Sequence, residues 1–222
     1  RALAEIASSF VPAYLAQLAY LDHVAGVATD DAGVWKLPDG NVYYAYRVRS
    51  QTTSDATPDE VHELGRREVA RVTAELRAAF AALGYPQDLD LADLVSRAVD
   101  DAGYLPMDTP ADRDAVIRSW AALIAEADHR AGEYFDLRPS ADVTVVGGLG
   151  GEFYVPASED GSQPCEFHVG QVAPSQAKYM MRTIAFHEAV PGHHYQVGLA
   201  RELGLPQFRR DLPVRAFTEG WA

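Results

Sequence analysis

The segment from His187 to His194 reads His-Glu-Ala-Val-Pro-Gly-His-His, and it holds the residue types that bind and use zinc in hydrolases. Imidazole nitrogens are common zinc ligands, and a neighbouring glutamate can accept a proton from the water that the metal activates. In the pattern H-E-x-x-H the two histidines are four residues apart and share one face of a helix. Here the fourth position after His187 is Pro191. Because proline lacks the amide that would bond to residue 187, we expect the helix to kink or open between residues 189 and 193.

Two adjacent histidines compete to be the second ligand. If residues 189–191 bulge outward, His193 falls where many zinc peptidases place the histidine that ends their shorter motif. In an unbroken helix, seven residues make nearly two turns, so His194 would share the face of His187 but lie about 10 Å further along. We favour His193 and keep His194 as the alternative. The histidine that is not a ligand would orient substrate or hydrogen-bond to a neighbour.

A site with two neutral imidazoles needs a third protein ligand and a position that stays open for water. Glu219 is the best candidate, because its spacing of 32 residues from His187 (219 − 187) lets a second helix fold back against the first. Glu188 is then the general base that takes the proton of the water. The alternative interpretation of Glu219 is an ordinary surface carboxylate, and Glu166 and His168 are the next candidates for the third ligand.

The predicted cofactor is one zinc ion, although imidazole and carboxylate ligands also tolerate Mn²⁺, Co²⁺ or Fe²⁺. Tyr154, Tyr179 and Tyr195 are candidates for stabilising negative charge on the substrate oxygen, because a phenol can donate a hydrogen bond to it. Of these, Tyr195 is assigned as a catalytic residue beside Glu188. Glu159, Asp160 and Glu166 are expected to be solvated.

Composition excludes several other classes of protein. Nineteen basic and 32 acidic side chains give a formal net charge of −13, which repels phosphate backbones and anionic lipid surfaces, so we expect neither a nucleic-acid nor a membrane partner. No apolar run approaches the roughly 18 residues that span a bilayer. Cys165 is the only cysteine, so thiolates cannot form a metal site and an intrachain disulfide is impossible.

Helix signals dominate the first two thirds of the chain. Thr57-Pro58-Asp59-Glu60 has the form of a capping box and predicts a helix to about residue 82, and Thr109-Pro110 predicts another that runs to about residue 129 before Gly132. Shorter helices are expected at 2–20, 40–50 and 90–101.

Further along the chain the pattern changes to β-rich runs at 143–146, 152–155 and 165–169, and helical spacing returns from 175 to about 203, interrupted only by Pro191-Gly192. These signals predict an α+β fold that is predominantly α-helical, with a small β-sheet before the metal-binding helix. We divide the chain into a helical region, 1–132, and a region of sheet and metal-binding helices, 133–222, within one continuous catalytic domain.

Two motifs, His-Glu-Ala-Val-Pro-Gly-His-His-Tyr-Gln at 187–196 and Phe-Thr-Glu-Gly-Trp-Ala at 217–222, resemble the bacterial domain-of-unknown-function 885 family. That family is grouped with the zincin-type metallopeptidases whose third ligand is glutamate. The segments 57–65 and 153–161 are similar to the same family, so the resemblance covers most of the chain from about residue 40. It implies a largely helical metal hydrolase in which Glu188 is the base and the ligands are His187, one of His193 and His194, and Glu219.

These observations favour hydrolysis of a peptide bond by a metal-activated water, with a peptide as substrate. A second hypothesis keeps the metal and changes the substrate to a small amide, ester or lactam. A third is a catalytically silent, metal-stabilised binding domain. The chain opens on Arg1 and stops three residues after Glu219, and the family pattern continues further, so we expect a fragment that binds zinc but is a poor catalyst alone.

Overall fold

A computed structural model describes residues 2–158, 160, 162–212 and 214–222 of the chain, with the side chain of Asp211 left out. The chain forms two compact units, residues 1–46 and residues 47–222. The first unit contains α1 (Ala2–Glu5), a π-helical turn (Ile6–Phe10), α2 (Val11–Val27) and a 3₁₀ turn (Val34–Lys36). Helix α3 (Gly40–Thr52) begins in the first unit and continues into the second.

One helical stretch in the described part of the chain, Ala2–Val27, has the length and composition to cross a membrane. Its most apolar window has a mean hydropathy of 1.2, and none of that window is buried. The prediction that no apolar run approaches this length is wrong for this helix: Glu5, Asp22 and His23 interrupt the apolar residues, but the mean hydropathy of the segment is still high enough. Signal sequences and core helices share this composition, so the helix is weak evidence for a membrane partner.

The long helices of the second unit begin where the capping signals place them. Helix α4 (Pro58–Ala82) starts at Thr57, whose side chain accepts from the amide of Glu60 at 3.2 Å while its own amide donates to the Glu60 carboxylate at 2.8 Å. Helix α6 (Pro110–Ala131) repeats the arrangement with Thr109 and Asp112. The predicted boundaries are confirmed, because a capping box satisfies otherwise unpaired amides of the first turn. The other helices are α5 (Leu91–Ala102), α7 (Met181–Glu188), α8 (His193–Glu202), α9 (Gln207–Asp211) and α10 (Arg215–Trp221).

Two small sheets complete the second unit, and the fold is α+β and predominantly helical, as predicted. Their strands are β1 (Tyr104–Pro106), β2 (Val143–Gly148), β3 (Phe153–Val155), β4 (Cys165–Gly170) and β5 (Ser175–Ala177). In the larger sheet β4 is central, with β2 parallel to it on one side and β3 antiparallel on the other. Strands β1 and β5 form an antiparallel pair. The expectation of helix from residue 175 is therefore wrong for residues 175–177, which pair with a strand that the sequence did not indicate.

The main core lies between α6, β4 and α7. Trp120 is fully buried on α6, and its ring meets Phe167 of β4 edge to face, with ring centroids 5.2 Å apart. Ala185 of α7 is fully buried in the same cluster. Because the buried residues of α6 recur every three or four positions, one face of this helix supports both the sheet and the helix that carries His187. The buried residues of α6 are Val116, Trp120, Ile124, Ala127 and Ala131.

The interruption predicted around Pro191 is present. Helix α7 ends at Glu188, α8 begins at His193, and the Val190–Pro191 peptide bond is cis. The chain passes very close to itself here: a Cβ atom at Gly192 would lie 1.8 Å from the carbonyl oxygen of His187. Glycine is therefore the residue that this turn accepts, and the Gly192 amide donates to the Phe186 carbonyl at 2.9 Å.

Candidate metal centre

The break between α7 and α8 brings His187 and His193 together. Their rings lie 4.7 Å apart between centroids, and one possible ligand atom from each of His187, Glu188 and His193 lies within 4.8 Å of the others. The bulge between the two helices achieves this, because it turns the start of α8 back toward the end of α7. His187 is partly exposed and His193 is more enclosed, with 38% and 17% of their side chains accessible.

Glu219 completes the cluster. Its Oε2 atom lies 3.6 Å from Nε2 of His187 and 3.6 Å from Nε2 of His193. Ligand atoms held about 2.0–2.2 Å from a tetrahedral zinc ion lie about 3.3–3.6 Å from each other. The two distances from the Glu219 oxygen to the imidazole nitrogens therefore fit one zinc ion, and the donor set of imidazole and carboxylate suits that metal.

Helix α10 holds Glu219 in place through its last residues. The indole Nε1 of Trp221 donates to the carbonyl of Pro191 at 2.7 Å, and the indole ring packs at 6.1 Å from the ring of Phe135. The residue that interrupts the α7–α8 helix thus also anchors the helix that carries Glu219. These two contacts restrict the movement of α10 and therefore of the Glu219 side chain.

Glu188 is oriented by the neighbouring sheet. Its Oε2 accepts a hydrogen bond at 3.1 Å from the backbone amide of Tyr154 on β3. The side chain of Tyr154 contacts His194 instead, with 3.2 Å between its hydroxyl and Nδ1. Burial, followed by the Cys165 thiol, raises the pKa of Tyr154 well above its usual range, so this phenol stays protonated.

His194 points away from the cluster into the interior. Only 4% of it is exposed, and burial lowers the pKa of its imidazole, although the backbone carbonyl of Ala141 opposes that effect. A buried neutral imidazole between a hydroxyl and a carbonyl acts as a structural link. His194 therefore connects the segment before β2 to Tyr154, and through Tyr154 to Glu188.

The structure brings four of the predicted site residues together, namely His187, Glu188, His193 and Glu219. It does not bring Tyr195 into the cluster: that residue is 1% exposed and its ring packs edge to face on Phe135. His168 and Glu166, the reserve candidates for the third ligand, pair with each other at 2.9 Å on β4. Tyr179 packs instead against the smaller core cluster of Phe80, Leu94 and Ala98, and Glu159 lies outside the described residues.

Two contributors were missed at the sequence level, the amide of Tyr154 and the carbonyl of Pro191. The β-rich run at 153–155 indicated the strand. A hydrogen bond from its backbone to a side chain 34 residues away cannot be predicted from the residue types, because any residue except proline has the same backbone amide. Trp221 was visible as part of Phe-Thr-Glu-Gly-Trp-Ala, yet its acceptor depends on how the turn at Pro191 folds.

The family model described as "Bacterial protein of unknown function (DUF885)" matches residues 1–222. The chain belongs to this family. Among solved structures, the DUF885 chain is similar to one titled "The crystal structure of the putative lipoprotein from Colwellia psychrerythraea", with a TM-score of 0.88 and 27% sequence identity. The similarity covers 98% of the DUF885 chain but 39% of that protein, so the chain spans well under half of its length. A search of curated proteins finds no match.

Proposed function

We propose that this chain is the metal-binding part of a zinc-dependent hydrolase of the zincin type, acting on peptide bonds. The observation that carries the proposal is the convergence of His187, His193 and Glu219 from three separate helices, with the Glu219 oxygen 3.6 Å from each imidazole nitrogen. Glu188 stands beside this set with its carboxylate oriented by the Tyr154 amide. Three ligands and an adjacent base are what metal-assisted hydrolysis needs.

Zinc, when bound, would polarise the substrate carbonyl and lower the pKa of a water to about 7. Glu188 would take the proton of the attacking water and pass it to the nitrogen of the departing amine, so that the peptide C–N bond breaks and each product leaves complete. The amide of Tyr154 supports this role, because it holds the carboxylate in one orientation. The same ligands would also bind other divalent transition metals, because imidazole and carboxylate groups discriminate weakly among them.

A peptide is favoured as the substrate by the position of β3. This strand lies at an edge of the larger sheet, and the outward-facing amide of Tyr154 already reaches Glu188. In an antiparallel pair the amide and carbonyl of one residue point to the same side, so the Tyr154 carbonyl faces outward as well. An extended peptide that paired with this edge would lie next to the base.

Zinc content and zinc affinity of three proteins test the proposal: the parent chain, His187→Ala and Glu188→Gln. We expect one zinc per parent chain, loss of binding in His187→Ala, and retained zinc with no cleavage of a fluorogenic peptide in Glu188→Gln. Because the chain spans 39% of the similar solved protein, cleavage is also measured in a longer version of the protein.

His168→Ala is the matched control, since His168 pairs with Glu166 on β4, apart from the cluster. It should bind zinc like the parent chain. Equal metal loss in His187→Ala and Glu188→Gln would make Glu188 a ligand, and zinc binding that survives His187→Ala would refute the site.

A further inference from the structure

One residue of strand β3 contacts both helices that carry the histidine ligands. The backbone amide of Tyr154 donates to Oε2 of Glu188, the last residue of α7, at 3.1 Å. The hydroxyl of the same residue lies 3.2 Å from Nδ1 of His194, the second residue of α8. Tyr154 therefore spans the break between the two helices, whose ends are joined by residues 189–192. We call these two hydrogen bonds the Tyr154 bridge.

The hydroxyl of Tyr154 is the donor in this bridge. The backbone carbonyl of Ala141, which can only accept, lies beside the His194 ring as well, so the single N–H of the neutral ring is assigned to that contact. Nδ1 is then free to accept from the phenol. The thiol of Cys165 also lies beside the phenol, but sulfur is a weak acceptor and competes little with an imidazole nitrogen.

The start of α8 depends on such a contact. Its N-cap is Gly192, which has no side chain to hold the amides of the first turn. His194 is buried in that turn, and a buried acceptor that loses its partner is costly, so the hydrogen bond from Tyr154 holds the ring in place. His193 is the preceding residue, so any shift of His194 also moves this ligand.

Strand β3 depends on the bridge in turn. It has three residues, lies at the edge of its sheet and pairs with β4 on one side. A strand this short gains little from its ladder alone, so the phenol of Tyr154 acts as an anchor that fixes β3 against α8. The position of β3 decides where the Tyr154 amide lies, and hence how Glu188 is oriented.

We propose that Tyr154 is a positioning residue of the metal centre, and that its hydroxyl acts through His194. The hydroxyl fixes the start of α8, and with it the distance of His193 from His187. The amide of the same residue fixes Glu188, so one side chain and its backbone set the ligands and the base together. This role rests on the proposed zinc site, and it does not depend on which bond is hydrolysed.

The first test is the zinc affinity of Tyr154→Phe, measured on the whole chain by competition with a fluorescent chelator. The variant keeps the ring, the amide and every ligand, and it removes the hydroxyl. We expect the affinity to fall about fivefold, the scale of one hydrogen bond. Tyr104→Phe is the matched control, because it removes a phenol hydroxyl that donates to Asp100 at 2.9 Å, apart from the metal centre. It should bind zinc like the parent chain.

Variants of His194 show whether the hydroxyl acts through this ring. His194→Leu removes the acceptor and should lower the zinc affinity at least as much as Tyr154→Phe. His194→Asn keeps an acceptor oxygen close to the position of Nδ1 and should restore most of the affinity. The double variant Tyr154→Phe/His194→Leu should bind zinc no more weakly than His194→Leu alone, because both changes break the same hydrogen bond.

Hydrogen exchange tests the bridge in metal-free protein. In EDTA, the amides of residue 154 and of Gly192, which donates to the Phe186 carbonyl, should exchange about fivefold faster or more in Tyr154→Phe. Core amides such as that of Trp120 should exchange at the parent rate. Because this measurement needs no zinc, it separates the bridge from the proposed function: a parent chain that binds no zinc refutes the zinc site, and the exchange rates still decide whether Tyr154 holds the break.

Three results would overturn the proposal. Parent-like zinc affinity and exchange rates in Tyr154→Phe would show that the hydroxyl holds nothing at the break. Faster exchange that extends equally to Trp120 would make Tyr154 a residue of general stability. Losses of affinity that add in the double variant would show that the hydroxyl acts without His194.

Discussion

Replacing Gly192 by alanine would drive a methyl group into the backbone at the metal centre. The added Cβ would lie 1.8 Å from the carbonyl oxygen of His187 and 2.4 Å from that of Phe186. Real Cβ atoms essentially never approach closer than 3.0 Å, so the chain must move by at least about 1.2 Å (3.0 − 1.8). Because the obstacle is backbone, no side-chain rotation can relieve it. Overpacking of this kind costs about 1–3 kcal/mol of unfolding free energy.

The same movement separates His187 from His193, which flank the turn. A displacement of about 1 Å in a catalytic group reduces rate by about a hundredfold, and we expect zinc affinity in Gly192→Ala to fall at least tenfold. Competition with a fluorescent zinc chelator measures the affinity, and urea denaturation measures the stability.

Gly220→Ala is the matched control, because it lies beside Glu219 and a Cβ there meets nothing within 4 Å. Alanine in a helix is favoured over glycine by about 1 kcal/mol, so this variant should bind zinc normally and be equally or more stable. Wild-type zinc affinity and stability in Gly192→Ala would refute the close approach at this turn.

Other perturbations give equally definite outcomes. Glu219→Gln should weaken zinc binding strongly, and equal zinc affinities for this variant and the parent chain would exclude Glu219 as a ligand. Trp221→Phe should weaken zinc binding mildly, because it removes only the hydrogen bond to the Pro191 carbonyl. Trp120→Ala should lower the unfolding free energy by about 3–5 kcal/mol in urea denaturation, because it empties the centre of the core. Glu126→Gln should destabilise the chain slightly at neutral pH. The hydrogen bond from Arg182 lowers the pKa of Glu126 below its ordinary value of 4.5. The stability that the Glu126 carboxylate contributes is therefore present above pH 4.5 and is lost as the pH falls through the lowered pKa. Thermal melts from pH 7 to pH 3 would show whether the two proteins converge.

Local chemistry explains which parts of the fold could be predicted from sequence. The capping boxes at Thr57 and Thr109 depend on residues three positions apart, so both helix starts followed from the sequence alone. The short strands β1 and β5 did not, because each gains its partner from a segment about 70 residues away and neither shows apolar alternation. Pairing at that distance is decided by packing, which residue patterns reflect weakly.

In the candidate metal centre, too, the local features could be predicted from the sequence and the long-range contacts could not. Pro191 predicted the break in the helix, and the break is what selects His193 over His194 as the histidine facing His187. The orientation of Glu188 by the Tyr154 amide could not be foreseen, because it requires the position of β3 relative to α7. Tyr195 was assigned to catalysis as a phenol that could donate to the substrate oxygen, yet consecutive residues of a helix point in directions about 100° apart and its ring is buried against Phe135.

The seven residues of helix α10 that the structure describes are too few to be stable without contacts to the rest of the unit. The Trp221 hydrogen bond and the contact with Phe135 hold it against the rest of the unit, so it can detach locally while the core around Trp120 stays folded. Glu219 would leave with it, and the two histidines would remain on α7 and α8 as a half-open site. The rate at which a bound zinc ion exchanges with free zinc would then be set by the rate at which α10 detaches. The backbone amides of α10 would exchange their hydrogens with solvent more slowly when zinc is bound.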